Sequence, residues 1–99
     1  MLRIYLNEET EPTTLRLEGS LAGLWVAELE KCWRTASARR PNAAIIVELT
    51  GVTFVDDRGR DLLFQMRRKG NSLVPTGCLM KAIVEKINAD IRRQEGEVV

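Results

Sequence analysis

The chain contains no histidine, the residue on which many nucleophilic and metal-dependent enzyme sites depend. It has only two cysteines, Cys32 and Cys78, and their separation does not match the spacing of zinc ligands. A phosphate-binding loop is also missing, because no Lys-Ser/Thr pair follows the glycines of segment 19–23. The sequence therefore predicts a protein that is not an enzyme and that carries no cofactor and no metal ion.

The chain also lacks an excess of charge of one sign and a long apolar run. Its 15 basic and 14 acidic residues nearly cancel, so no strong field attracts nucleic acid or an anionic membrane surface. No run of about 18 apolar residues is present, as a membrane-spanning helix would require. We therefore expect a cytoplasmic protein with no nucleic-acid partner and no membrane insertion.

A length of 99 residues predicts one domain over 1–99, with a core over about 13–91 and a frayed end over 92–99. Hydrophobic periodicity predicts the element order ββαβαβα. Strand–helix–strand units favour parallel pairing, so the predicted fold class is α/β, with a small mixed sheet of four to five strands and about three helices. The predicted strands cover about 2–6, 15–17, 44–49 and 72–74, and the predicted helices cover about 24–38, about 58–69 and a segment after 77.

The first predicted helix carries both tryptophans. A helical wheel places Trp25, Leu29 and Cys32 on one apolar face, with Trp33 at its edge. Because this face would lie on the sheet, we interpret the tryptophans as core residues rather than as a stacking platform for bases or sugars. The two arginines at 39–40 are interpreted as part of a solvated loop rather than as a phosphate site.

The junction between the central strand and the second helix carries an acidic pair and a glycine. A helix N-terminus has free N–H donors and partial positive charge, so Asp56 or Asp57 is predicted to cap it. Gly59 has no side chain, and the helix can therefore lie close to the sheet at this point. With Asp61 the acidic pair could in principle bind Mg²⁺, but the other acidic loops and the lysine of such a pocket are not evident.

The segment Asp56-Asp57-Arg58-Gly59 resembles the signature of STAS domains, the anti-sigma-factor-antagonist-like modules of bacteria. In that family the strand ends in a hydrophobic-Asp-Ser-Ser/Thr-Gly pattern, and the second hydroxyl residue is a phosphorylation switch. Segment 17–21 is similar to the family's Gly-x-Leu turn and segment 68–74 to its helix–glycine–strand return. The resemblance covers roughly 15–87 and implies helices packed on a four- or five-stranded sheet.

The switch itself is missing from this chain. The resemblance puts Asp57 at the first hydroxyl position and Arg58 at the second, so the phosphorylation motif is degenerate. Thr53 is the nearest hydroxyl residue, but the strand pattern places it before the turn. We therefore predict that phosphorylation at this junction does not regulate the protein.

The resemblance implies a non-catalytic, protein-binding regulatory module for signal transduction and transcription regulation. Its partners would be anti-sigma factors or serine kinases of the GHKL type. One alternative is a small accessory subunit of a transporter ATPase of the lipid-transport type, and another is a small-ligand sensor domain. The identity of the partner and the choice between monomer and homodimer stay open.

A second observation defines the predicted partner interface. Phe64 falls about 150° from the centre of the buried stripe of its helix, and its helical neighbours are charged, which suits an interface anchor. The alternative is an isolated surface apolar residue, or one covered by the end of the chain. The predicted partner-facing residues are Asp56, Asp57, Arg58, Gly59, Asp61, Phe64 and Arg68.

Overall fold

The structure, a computed structural model, describes residues 1–9, 11–41, 43–75 and 77–97. The side chain of Cys78 lies outside this description, and so do residues 98–99. The element order and the mixed sheet confirm the predicted α/β fold class. The elements are β1 (Leu2–Asn7), β2 (Thr14–Leu21), α1 (Leu24–Arg39), β3 (Ile46–Val55), α2 (Asp57–Arg68), β4 (Ser72–Val74) and α3 (Gly77–Glu97).

The described strands form one sheet in the order β1-β2-β3-β4. β1 is antiparallel to β2, whereas β2, β3 and β4 run parallel. Both crossovers move one strand in the same direction, so right-handed connections place α1 and α2 on the same face of the sheet. Burial agrees with this arrangement, because Leu15 and Leu17 are fully buried whereas Arg16 between them is exposed.

One hydrophobic core joins this face of the sheet to all three helices. Trp25, predicted to lie in the core, is instead 38% exposed. It belongs to the first turn of α1, which begins beyond the end of β2, and the buried stripe starts one turn later. The helical core residues are Leu29, Trp33 and Ala36 of α1, Leu62, Leu63 and Met66 of α2, and Met80, Val84 and Ile87 of α3.

The β2 strand is longer than predicted because it continues through Gly19 to Leu21. Gly19 was expected to begin a turn, but it lies within the strand with φ +104°, and a Cβ there would overlap the Met1 carbonyl. Only glycine meets both conditions. The adjacent Ser20 N–H donates to the Met1 carbonyl oxygen at 2.9 Å, which holds the beginning of the chain against β2.

The two ends of the described chain belong to regular elements. Leu2 of β1 is buried in the core. α3 continues as a helix to Glu97. None of the described helices combines the length and the apolar content that crossing a bilayer takes.

Candidate functional site

Asp56 lies at the junction between β3 and α2, where it caps the second helix. The Gly59 N–H donates to Asp56 Oδ1 at 2.7 Å, as expected of a side chain that satisfies a free donor in the first turn. Of the two predicted candidates, the cap is therefore Asp56. Asp57 is the first residue of α2 and its side chain is exposed.

The same carboxylate also holds the start of α1. The N–H of Gly23, 33 positions earlier in the chain, donates to Asp56 Oδ2 at 2.9 Å. The two helix starts lie together because β2 and β3 are parallel neighbours whose ends pair at Leu21 and Val55. One side chain thus fixes two helix N-termini at the same edge of the sheet.

These donors stabilise the charged form of the carboxylate. The hydrogen bond from Gly23, followed by that from Gly59, lowers the pKa of Asp56 below its usual value. Partial desolvation opposes this effect, and the positive charge of Arg58 adds to it. Asp56 is therefore ionised at neutral pH, and both of its oxygens accept hydrogen bonds within the chain.

Gly59 is buried where α2 meets the sheet, in agreement with the predicted close approach. A Cβ at this position would lie 2.5 Å from the Leu21 carbonyl oxygen and 3.0 Å from Val55 Cγ1. Because the first of these atoms belongs to the backbone, a side chain at this position would push the helix away from β2.

The charged residues of the predicted interface are exposed. Asp57, Arg58, Asp61 and Arg68 all point away from the core, and none forms an ion pair with another described residue. Their positions along α2 are spread over about 16 Å, from the first turn to the last. The predicted interface therefore divides into a junction part, 56–59, and a part along the helix.

Phe64 requires a correction, because its ring is not on a free outward face. It is half-buried and packs against the core. The helical wheel did not include α3, which lies along this side of α2. Arg67, one turn after Phe64, donates from Nε to Asn88 Oδ1 of α3 at 3.1 Å.

Three of the predicted interface residues nevertheless share a groove on α2. Its volume is about 530 Å³, and Phe64 lines it together with Asp61 and Arg68. These residues lie at i, i+3 and i+7, so they follow one stripe of the helix. The structure thus brings Asp61, Phe64 and Arg68 together but leaves the junction part separate.

Sequence reasoning missed the apolar side chains beside the junction. Leu24 is 88% exposed and Phe54 is 54% exposed, and Trp25 lies next to Leu24. Leu24 follows Gly23, which is bonded to Asp56, and Phe54 lies two residues before Asp56. The wheel of α1 contained a signal, because it places Leu24 opposite the Leu29 stripe. We call Leu24, Trp25 and Asp56–Gly59 together the helix-start corner. Phe54 is not part of it, because the next residue, Val55, packs against the core and Phe54 therefore faces the other side of the sheet.

No protein-family model and no characterised protein matches the chain. The resemblance to STAS domains therefore stays a prediction from the sequence segments described above. Within 1–9, 11–41, 43–75 and 77–97, no group of three or more acidic, cysteine or histidine side chains is arranged to hold a metal ion.

Proposed function

We propose that the chain is a non-catalytic regulatory module that binds a protein partner through the helix-start corner, as STAS-type antagonists do. The observation that carries the proposal is that the adjacent acidic residues Asp56 and Asp57 have different surroundings. Asp56 accepts hydrogen bonds from two backbone donors, whereas Asp57 and Arg58 are exposed in the first turn of α2, which Asp56 caps. A helix start held by such hydrogen bonds loses little conformational entropy when it binds, which favours its use as a docking site.

Apolar side chains beside these charges support the same proposal. Leu24 is 88% exposed, and more than a third of Trp25 is exposed. Aromatic anchors close to charged groups are typical of residues that dominate protein–protein binding. The helix-start corner combines both kinds of group at one edge of the sheet.

The positive charge of Arg58 determines whether phosphorylation can regulate the proposed module. Arg58 stands where the resemblance places a phosphorylatable hydroxyl, and a guanidinium cannot take part in that switch. Phosphorylation would add about two negative charges to an interface, whereas Arg58 supplies a permanent positive one. We propose that the module binds its partner constitutively in the cytoplasm, and that the partner is an anti-sigma factor or a GHKL-type serine kinase.

The experiment is affinity capture from the native cell with three baits: the wild-type chain, Arg58→Glu and Lys31→Glu. Lys31 is an exposed cation on α1, so its reversal matches the change in charge without touching the helix-start corner. We expect the wild-type and Lys31→Glu baits to retain the same protein and Arg58→Glu to lose it. Equal capture by all three baits would remove the helix-start corner from the proposal.

Identification of the captured protein by mass spectrometry then tests the class of partner. An anti-sigma factor or serine kinase agrees with the proposal. A transporter ATPase subunit captured with the same dependence on Arg58 would keep the docking surface and replace the partner class. A wild-type bait that retains nothing above a bead-only control would count against a protein-binding role.

A further inference from the structure

A second concave site lies at the opposite edge of the sheet, between the ends of α1 and α2. Its volume is about 380 Å³. It is separated from the helix-start corner by the length of α2, about 16 Å, and shares no residue with it. The residues that line it and carry the argument are Trp33, Arg34, Ser37, Pro41, Ala43 and Lys69.

Trp33 borders this cleft from the core side. The residue is 3% exposed, and its indole Nε1 has no hydrogen-bond partner among the residues that the structure describes. A buried donor without a partner is uncommon in folded proteins and calls for an explanation. The Lys69 ammonium lies 5.6 Å from the centroid of the Trp33 ring, so a cation stands over the aromatic surface.

The charged side of the cleft is positive. Arg34 and Lys69 both line it, and no carboxylate of the described residues does. Arg34 has one weak partner, Glu30 at 3.7 Å, and both side chains of that pair are well exposed. Lys69 forms no ion pair with another described residue. A ligand with negative charge would therefore find two available cations.

The remaining lining restricts the kind of anion. Pro41 and Ala43 present apolar surface, which a bare inorganic ion cannot use. α1 and α2 both end at this edge, and the partial negative charge of helix C-termini disfavours a doubly charged group such as phosphate. A singly charged group attached to a flat apolar body fits the charge, the apolar surface of Pro41 and Ala43 and the volume together.

We propose that this cleft is a binding site for a small aromatic carboxylate, with its ring against Pro41 and Ala43 and its carboxylate between Arg34 and Lys69. This inference is independent of the proposed protein-binding function, because the two sites share no residue. A ligand held here would contact the last turns of α1 and α2 and the loop before β3.

The experiment is an NMR titration of the ¹⁵N-labelled chain with indole-3-acetate. The two indole N–H signals are assigned with Trp25→Phe, which leaves Trp33 as the remaining tryptophan. We expect saturable shifts of the Trp33 indole N–H and of backbone amides in 33–38 and 69–71, with a Kd on the order of 1 mM. Tryptophol, which replaces the carboxylate with a hydroxymethyl group, and inorganic phosphate serve as matched ligands and are expected to bind more weakly.

Two variants test the cations, and a third is the control. Arg34→Gln and Lys69→Gln should each raise the Kd about threefold, the effect of losing one partly exposed charge contact. Lys31→Gln removes an exposed cation from the same helix but outside the cleft, and its Kd should match the wild type. No saturable shift of Trp33, equal binding of tryptophol, tighter binding of phosphate, or unchanged Kd values in both cation variants would overturn the proposal.

Discussion

At both edges of the sheet, one polar side chain forms hydrogen bonds with backbone groups of two segments, but that side chain is charged at one edge and neutral at the other. At the edge where α2 begins, the ionised carboxylate of Asp56 accepts N–H groups from Gly23 and Gly59. At the edge where α2 ends, the neutral amide of Asn71 accepts the Ile45 N–H at 3.0 Å and donates to the Met66 carbonyl oxygen at 2.9 Å. Asn71 is buried, whereas Asp56 is only half-buried.

The charged residues near the two edges also differ, because only those near the α1 end form ion pairs with described residues. Near the α1 end, Arg39 pairs with Glu8 and Arg40 pairs with Glu11 at 2.9 Å, so this end of the helix is tied to the β1–β2 connection. At the helix-start corner, Asp57 and Arg58 form no such pair with any described residue. Two ion pairs thus tie the α1 end to the β1–β2 connection, whereas the exposed charges of Asp57 and Arg58 have no ion-pair partner among the described residues.

The largest expected effect is on packing where α2 starts. Gly59→Val should destabilise the fold by about 3 kcal/mol, because the added atoms would overlap the Leu21 carbonyl oxygen. Urea unfolding checks this value. Arg60→Val introduces the same residue one position later on an exposed surface and should cost about 0.5 kcal/mol or less. Equal losses for the two variants would mean that α2 does not approach β2 closely.

The buried amide at the other edge should have the next largest effect. Asn71→Ala removes the acceptor of the Ile45 N–H and should cost about 2 kcal/mol, because that donor remains buried without a side-chain partner. Ser72→Ala, at the exposed neighbouring position, should change the stability by less than about 0.5 kcal/mol. Urea unfolding at pH 7 measures both, and a harmless Asn71→Ala would refute the bridging role.

The hydrogen bonds of the charged Asp56 should respond to pH differently from those of the neutral Asn71. Folding lowers the pKa of Asp56, so the stabilisation by Asp56 is present above the unfolded pKa of about 3.9 and is lost as the pH falls through the folded pKa. The difference in urea midpoint between the wild type and Asp56→Asn should therefore be largest near neutral pH and shrink in acid. The difference in urea midpoint between the wild type and Asn71→Ala should stay constant with pH. The same pH dependence for both variants would contradict the distinction between the charged and the neutral side chain.

The smallest expected effect concerns the ion pairs at the α1 end. Arg39→Gln should lower the stability by less than about 0.5 kcal/mol, because exposed ion pairs contribute little after screening by water and salt. Urea unfolding at low and at high salt checks this value. The difference in stability between the wild type and Arg39→Gln should be smaller at high salt. A loss above about 1 kcal/mol would show that this pair is structurally as important as the Asn71 bridge.

The sequence predicted the element order, a cap at Asp56 or Asp57 and the close approach at Gly59 because each depends on local patterns. It did not predict the bond from Gly23 to Asp56, since the partners are 33 positions apart and meet only through the parallel pairing of β2 and β3. Phe64 and Trp25 were placed wrongly for related reasons. A helical wheel describes one helix alone, whereas Phe64 packs partly against the core shared by all the elements and the first turn of α1 extends past the sheet.

The ion pairs of Arg39 and Arg40 illustrate the same limit. The sequence predicted a solvated loop, and the side chains are indeed partly exposed, but their partners lie about thirty positions earlier. No local pattern relates the β1–β2 connection to the end of α1. Contacts of this kind follow from topology, which periodicity predicts only in outline.

The central claim is that the helix-start corner is the docking surface, and the affinity of the captured partner tests it most directly. Isothermal titration of that partner with the wild type, Arg58→Glu and Lys31→Glu compares one reversal of charge inside the helix-start corner with one outside it. We predict that the Kd rises at least about tenfold for Arg58→Glu and stays within about twofold of the wild type for Lys31→Glu. Equal Kd values for the three proteins would contradict the account.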